Sequence, residues 1–363
     1  MSESPSLPAE LETDSSALSQ FDQIRSLIAA GFEVEEALIE HRVPTFYVSP
    51  KSDSKQAFVR LVRKLTDMGF TPVLREKNGR YVLKVVPRPE IKPHRLLINI
   101  ILLLVTIATV FITGYILSLE LGDPLIGAAS FTLALLGILG VHEMAHKFAA
   151  NHHKMEATMP YFIPGPPPLP GFFLGIGTFG AVIVQKETAP NRDALFDIGA
   201  SGPIAGFIVT IFVSAVGLAL SRVELITEPF VGGLPISPLF LLLMQILIEA
   251  PGPGSYVVYL HPVAFAGWIG MFVTLLNLLP TGMLDGGHTL RSIVNNEFVR
   301  VVFTLASILI LLITGNLLML FFVLFLSMHK HPGPLDDVSK LSFSRKIVAV
   351  LLLVIFVLCL FIF

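Results

Sequence analysis

The residue types able to do chemistry are concentrated in His142-Glu143-Met144-Ala145-His146. On a helix, histidines at i and i+4 stand one turn apart on the same face, where both imidazoles reach a single Zn²⁺. The glutamate between them is placed to act as general base on water that such an ion activates. The flanking sequence, AASFTLALLGILGVHEMAHKFAA, is apolar. Titratable side chains are costly in a membrane segment and mark functional sites there. Spacing and setting together predict a metal-dependent hydrolytic site inside a bilayer.

Zinc at a catalytic site takes a third protein ligand and leaves a position open. Cys359, the chain's single cysteine, sits in an apolar run, so a disulfide framework is excluded and the ligands must be histidine and carboxylate. Asp285 is the candidate. It lies in Asn277-Leu-Leu-Pro280-Thr-Gly282-Met-Leu284-Asp285-Gly286-Gly287-His288, where Pro280 and Gly282 interrupt an apolar helix. Irregular backbone at membrane depth is tolerated only where it is buried in protein or lines a polar cavity. No Lys or Arg lies nearer in sequence than Arg291, so this carboxylate calls for a bound cation.

The elements that must bring these groups together are membrane helices. Of 363 residues, 53% are hydrophobic and 14% charged, and mean hydropathy is +0.75, a composition unlike that of a soluble domain. The expected architecture is mainly α: a polytopic helical protein of the lipid bilayer with six or seven spans, preceded by a small soluble α+β domain. With 25 basic against 27 acidic residues, no nucleic-acid partner is indicated. The sequence specifies no oligomeric state.

Residues 1–18 are acidic and Ser/Pro-rich, unlike a secretory or organellar leader, and are expected to form a disordered tail. Residues 19–92 read as the α+β domain. Spaced apolar positions over 19–42 suit a helix, Thr45–Val48 a strand and Ser54–Met68 a second helix. Lys77-Asn78-Gly79 is a hairpin turn. No catalytic constellation appears in this part.

Residues 96–363 are the transmembrane domain. Spans are expected at Leu96–Leu119, Leu125–Ala150, Leu195–Leu220, Pro262–Pro280, within Val299–Met328, and at Ile347–Phe363. Small and β-branched residues over 172–186 predict a hairpin-like strand segment. Leu239–Ile248 is too short to cross about 30 Å of hydrocarbon and reads as interfacial or re-entrant. The Lys/Arg-rich N-terminal domain is expected in the cytoplasm and the spans in the plasma membrane. The fourth span then runs the same way as the second, and Asp285 arrives at the depth of His142 and His146. Counting Leu239–Ile248 as a span would send Asp285 to the opposite face.

His-Glu-x-x-His inside one span, with Asn277, Pro280, Leu284, Asp285 and Gly286 in a later one, resembles the site-2 protease family of intramembrane zinc metalloproteases. Gly177-Thr-Phe-Gly180-Ala181 is similar to that family's glycine-containing strand region, and Gly202-Pro203-Ile-Ala-Gly206 to its third-span glycine motif. His261-Pro262, Ala266-Gly267-Trp268 and His331–Asp337 are similar to the EGY-type subgroup of chloroplasts and its archaeal and bacterial relatives. The resemblance implies zinc held by His142, His146 and Asp285, with Glu143 as acid and base. It also implies Asn277 as a substrate or oxyanion contact. The expected reaction is hydrolysis of peptide bonds in transmembrane protein substrates, as in regulated intramembrane proteolysis. A substrate helix must unwind to expose its peptide bond, and the strand segment, with Phe179 and Gly180, offers an edge to receive it.

Two other readings compete. Gly199-Ala-Ser201-Gly202 resembles the G-x-S-G of rhomboid serine proteases, with Ser201 as nucleophile. Alternatively, His142, His146 and Asp285 form the transit site of a metal transporter, which leaves Glu143 without a task. His152, His153, His261, His329 and His331 read as interfacial and His288 as a surface residue. Gly202 and Gly206 read as a close helix-packing pair.

Overall fold

The computed structural model describes residues 9–41, 43–51, 54–89, 96–168, 175–226, 233–249, 254–313, 320–321, 324 and 333–361. The chain divides into two compact units. One comprises the chain up to Lys92 together with Thr188–Arg192 and Gly333–Lys340; the other comprises the remainder.

The first unit is α+β: α1 (Ala9–Ala29), β1 (Phe32–Glu40), β2 (Val43–Pro50), α2 (Ser54–Asp67), β3 (Phe70–Lys77) and β4 (Arg80–Pro87). The strands form an antiparallel sheet in the order β1-β2-β4-β3. On α2, Phe58, Leu61 and Leu65 recur at helical spacing and are buried against Ile24 and Ile28 of α1 and against Phe32, Phe46 and Leu83 of the sheet. Each such side chain contributes about 1.5–3 kcal/mol on burial. Asn78 (φ 52°) and Gly79 (φ 77°) make the β3–β4 turn, as Asn-Gly favours in a two-residue hairpin.

Three expectations are corrected here. The helix over 19–42 stops at Ala29, and Phe32–Glu40 is a strand that turns back at His41 (φ 51°) to pair with β2. Gly31 separates the two because a Cβ there would lie 2.9 Å from that of Ala57. The tail expected over 1–18 is helical from Ala9, where Ala, Leu and Glu are good helix formers. The α+β unit is also not contiguous. The Leu74 N–H donates to the Leu335 carbonyl (2.9 Å), and the Leu335 N–H to that of Ala189 (2.8 Å). Buried Asp336 accepts from the N–H groups of Val338 and Ser339, and the Arg192 guanidinium bonds the Asp337 carbonyl. Segments this short carry no periodicity to reveal them in the sequence.

The second unit is mainly helical: α3 (Leu96–Ser118), α4 (Pro124–His152), β5 (Tyr161–Pro164), β6 (Thr178–Val182), α5 (Arg192–Ala219), β7 (Arg222–Ile226), α6 (Pro238–Leu247), β8 (Ser255–Tyr259), α7 (Pro262–Asn277), α8 (Asp285–Ile293), α9 (Glu297–Ile313) and α10 (Phe343–Cys359). Among the described residues, α3, α4 and α5 are long and apolar enough to cross a membrane. Length alone thus does not confirm the expected six or seven spans. α7, α9 and α10, of 16, 17 and 17 residues, fall below the roughly 20 that 30 Å requires. The segment expected over Leu239–Ile248 forms the ten-residue α6 (Pro238–Leu247), capped by the buried Ser237 hydroxyl. Gly315-Asn316, within the span expected in Val299–Met328, lies outside the described residues.

The strand segment differs from expectation. Among the described residues of 172–186 only β6 is a strand; its partner β5 comes from the Pro/Gly-rich stretch before it. Pairing continues below the strands, where the Thr158 N–H donates to Val184 and the Lys186 N–H to Glu156. The pair is tied to α3. Buried Asn99 donates to the carbonyls of Met159 (2.8 Å) and Pro160 (2.9 Å), and Thr109 Oγ1 donates to that of Gly177 (2.6 Å). Backbone outside helices is thereby satisfied by protein.

Candidate metal centre

α4 starts at Asp123, whose carboxylate accepts from the N–H groups of Leu125 (2.8 Å) and Ile126 (3.3 Å), with Pro124 at the first helical position. Eighteen residues later, about 27 Å along the axis, comes His142. The motif therefore sits toward the far end of a 29-residue helix. His142, Glu143 and His146 are all buried.

The α7–α8 junction supplies the third group. α7 ends at Asn277, and a turn containing Gly282 (φ 53°) leads to Asp285 as the first residue of α8. The two glycines after Asp285 let α8 fold back onto this turn. A Cβ on Gly286 would lie 2.3 Å from the Leu278 carbonyl oxygen, and one on Gly287 2.3 Å from that of Gly282.

His142 Nε2, His146 Nε2 and Asp285 Oδ2 form a nearly equilateral triangle with sides of 3.0, 3.1 and 3.2 Å. They are the group of metal-capable side chains found among the described residues. A tetrahedral ion with bonds of about 2.0–2.1 Å separates its ligand atoms by roughly 3.3 Å, so the donor set fits zinc. The tautomer agrees. His146 Nδ1 lies 2.6 Å from the Ile198 carbonyl and must donate to it, which leaves the Nε2 lone pair facing the triangle. Glu143 Oε1 is 4.0 Å from His142 Nε2, and its carboxylate accepts the backbone N–H of Ile183, one residue beyond β6. Asn277 Nδ2 is 3.2 Å from His142 Nε2.

The geometry therefore brings His142, His146, Asp285, Glu143 and Asn277 to one place. Phe179 and Gly180 lie apart from it on β6, with the Phe179 ring half-exposed and Gly180 at φ 104°. Ser201 is turned to its own helix, its hydroxyl donating to the Ile198 carbonyl (3.0 Å). Replacing Ser201 by Ala is accordingly expected to leave peptide cleavage within about twofold of wild type. Loss of cleavage with metal retained would revive the serine reading.

Sequence reasoning missed the Ile183 N–H and the Ile198 carbonyl, which are main-chain groups and leave no residue signature. It also missed an ionic cluster. Asp197 accepts from Arg345 Nε (2.9 Å) and from His153 (2.9 Å), while Asp193 accepts from the Ser342 N–H (2.9 Å). The cluster fastens the starts of α5 and α10 to the end of α4. His261 caps α7. His329 and His331 lie outside the described residues.

A triad of metal-capable side chains on α4 and α8, with a buried glutamate beside it, has the make-up of a metallopeptidase centre. Residues 130–322 match peptidase family M50. The chain belongs to peptidase family M50, the site-2 protease family. It is 34% identical over 182 residues to the "Probable zinc metalloprotease EGY1, chloroplastic" of Arabidopsis thaliana, covering 48% of this chain and 31% of that protein. It is 32% identical over 166 residues to the EGY1 of Oryza sativa subsp. japonica, covering 43% and 27%. Against the EGY3 of Oryza sativa subsp. indica it is 27% identical over 271 residues, covering 64% and 44%. The chain thus spans about a third of the length of the first relatives it matches. No solved structure matches it. These relatives are named chloroplastic, so they lend no support to the plasma membrane expected from the sequence.

Proposed function

We propose that this chain is an intramembrane zinc metallopeptidase that hydrolyses peptide bonds within or beside transmembrane segments of membrane-anchored proteins. The observation that carries the reading is the triangle of His142, His146 and Asp285 beside Glu143, assembled from α4 and α8. His142, His146 and Asp285 hold the ion. Zinc, when bound, polarises a carbonyl and acidifies water.

Glu143 takes the proton from the attacking water and returns it to the leaving amine. Its hydrogen bond from Ile183 holds the carboxylate in place for both transfers. Asn277 presents its amide N–H groups to the substrate carbonyl, consistent with its position beside His142. An unwound substrate segment pairs along β6 at Phe179 and Gly180, three to four residues from Ile183. At about 3.3 Å per residue, that is within roughly 13 Å of the general base. Such pairing replaces the hydrogen bonds the substrate helix gives up.

The finer features of the reading are regulated proteolysis as the biological setting and shorter helices completing six or seven spans. The α+β unit recruits substrate or gates access.

The test is cleavage of a single-span model substrate by purified protein in detergent, with zinc-stripped protein alongside. Cleavage lost on stripping and regained with zinc is expected. Metal flux through the protein in liposomes without any peptide product would overturn the reading in favour of transport.

A further inference from the structure

α5 does more than pack beside the catalytic helix. A Cβ on Gly202 would sit 2.0 Å from His146 Nε2 and 2.4 Å from Cε1 of the same ring. One on Gly206 would sit 2.9 Å from His142 Nδ1. Ile198, one turn before Gly202, offers the carbonyl that bonds His146 Nδ1 at 2.6 Å. Residues 198, 202 and 206 recur at i, i+4 and i+8, so they form one face of the helix. Pro203 lies within this stretch and has no N–H for the Gly199 carbonyl, which loosens the turn where Ile198 turns its oxygen toward the imidazole. At the helix start, Asp197 is held by Arg345 and His153, which fixes the turn leading into Ile198.

We infer that this face of α5 is the template for the two histidines, and that Gly202 is a positioning residue for metal binding. The inference rests on the proposed zinc reading. A flat, side-chain-free surface at 202 and 206 admits each ring in one orientation. The Ile198 carbonyl fixes the His146 tautomer, so that Nε2 carries the free lone pair. Any side chain at 202 displaces the ring that the carbonyl has oriented. The small-residue pair expected to serve helix–helix packing thus packs a helix against two ligands. Gly217, on the same helix, serves ordinary packing, since a Cβ there would lie 2.1 Å from the Ala264 backbone nitrogen.

The experiment uses the full chain in detergent micelles and two readouts, with zinc and cobalt as probes. Gly202→Ala is expected to weaken zinc, measured by chelator competition, about 10- to 100-fold. It is also expected to change the visible spectrum of the cobalt-loaded protein. Gly217→Ala is expected to lower the melting temperature while leaving zinc affinity and the cobalt spectrum as in wild type. In metal-free protein, His146→Ala is expected to relieve the melting loss caused by Gly202→Ala, because the colliding ring is gone.

Wild-type zinc affinity in Gly202→Ala, or an equal loss in Gly217→Ala, would overturn the inference. If Gly202→Ala does not fold, the double variant decides: folding of His146→Ala/Gly202→Ala supports the template, and its failure to fold overturns it. Absence of zinc binding by the wild-type chain would instead count against the proposed function.

Discussion

Glu143→Gln is expected to leave zinc bound and to reduce cleavage of a single-span substrate by about three orders of magnitude, the middle of the range for general acid–base catalysis. The substitution keeps the shape of the side chain and an oxygen able to accept the Ile183 N–H, so the strand end and the helix should stay in register. It removes the ability to take a proton from water and pass it to the amine. Glu143 Oε1 is 4.0 Å from His142 Nε2, farther than the 3.0–3.2 Å separating the three triangle atoms, so it stands beside the ion position and outside the donor set. Zinc content by elemental analysis, measured with cleavage on the same preparation, checks both halves. Unchanged cleavage would remove Glu143 from the chemistry. A transport role for the triad also fails to anticipate a variant that keeps its metal yet loses hydrolysis.

The site was legible because its polar groups stand against an apolar background. His142 and His146 at helical spacing, and Asp285 beside a helix break, are conspicuous in a chain with 14% charged residues. Their convergence was expected from the sequence on the reading that a ten-residue apolar segment cannot span, which sets the fourth expected span in the direction of the second. The parts that were not legible share a physical cause. Ile198 and Ile183 act through the main chain, which every residue carries. Gly202 and Gly206 are visible as small residues, yet sequence does not say whether a helix or an imidazole fills the space they leave.

The α+β unit shows the same limit differently. Its α2 and its β3–β4 turn are written locally, in the spacing of Phe58, Leu61 and Leu65 and in Asn78-Gly79. The pairings of Leu74 with Leu335, and of Leu335 with Ala189, join residues far apart in sequence through a few backbone hydrogen bonds. No local pattern encodes them. Phe32–Glu40 misled because its apolar residues also fit helical spacing, and the partner strand β2 decided between the two periods.

The second large effect belongs to Asp285. Structural zinc sites bind with apparent free energies of about 10–16 kcal/mol, so one of four ligands contributes roughly 2.5–4 kcal/mol, about two to three orders of magnitude in affinity. Asp285→Ala should lose at least that, since it removes the only anion of the triangle and leaves two neutral imidazoles to hold a divalent ion in a buried setting. Asp285→Asn preserves volume and one oxygen but not charge, and it is expected to fall close to the alanine variant. The fold should suffer far less. Asp285 is the first residue of α8, where a carboxylate contributes only about 0.3–1 kcal/mol through the helix dipole. Gly286 and Gly287, which make the tight turn, remain in place. Metal-free wild type and Asp285→Asn should therefore melt within a few degrees of each other, while zinc raises the melting temperature of the wild type alone. Full zinc occupancy in Asp285→Ala at buffered nanomolar zinc would show that the third ligand lies elsewhere. Set beside Glu143→Gln, the pair separates holding the ion from moving the proton: one variant is inactive because it is empty, the other while it is full.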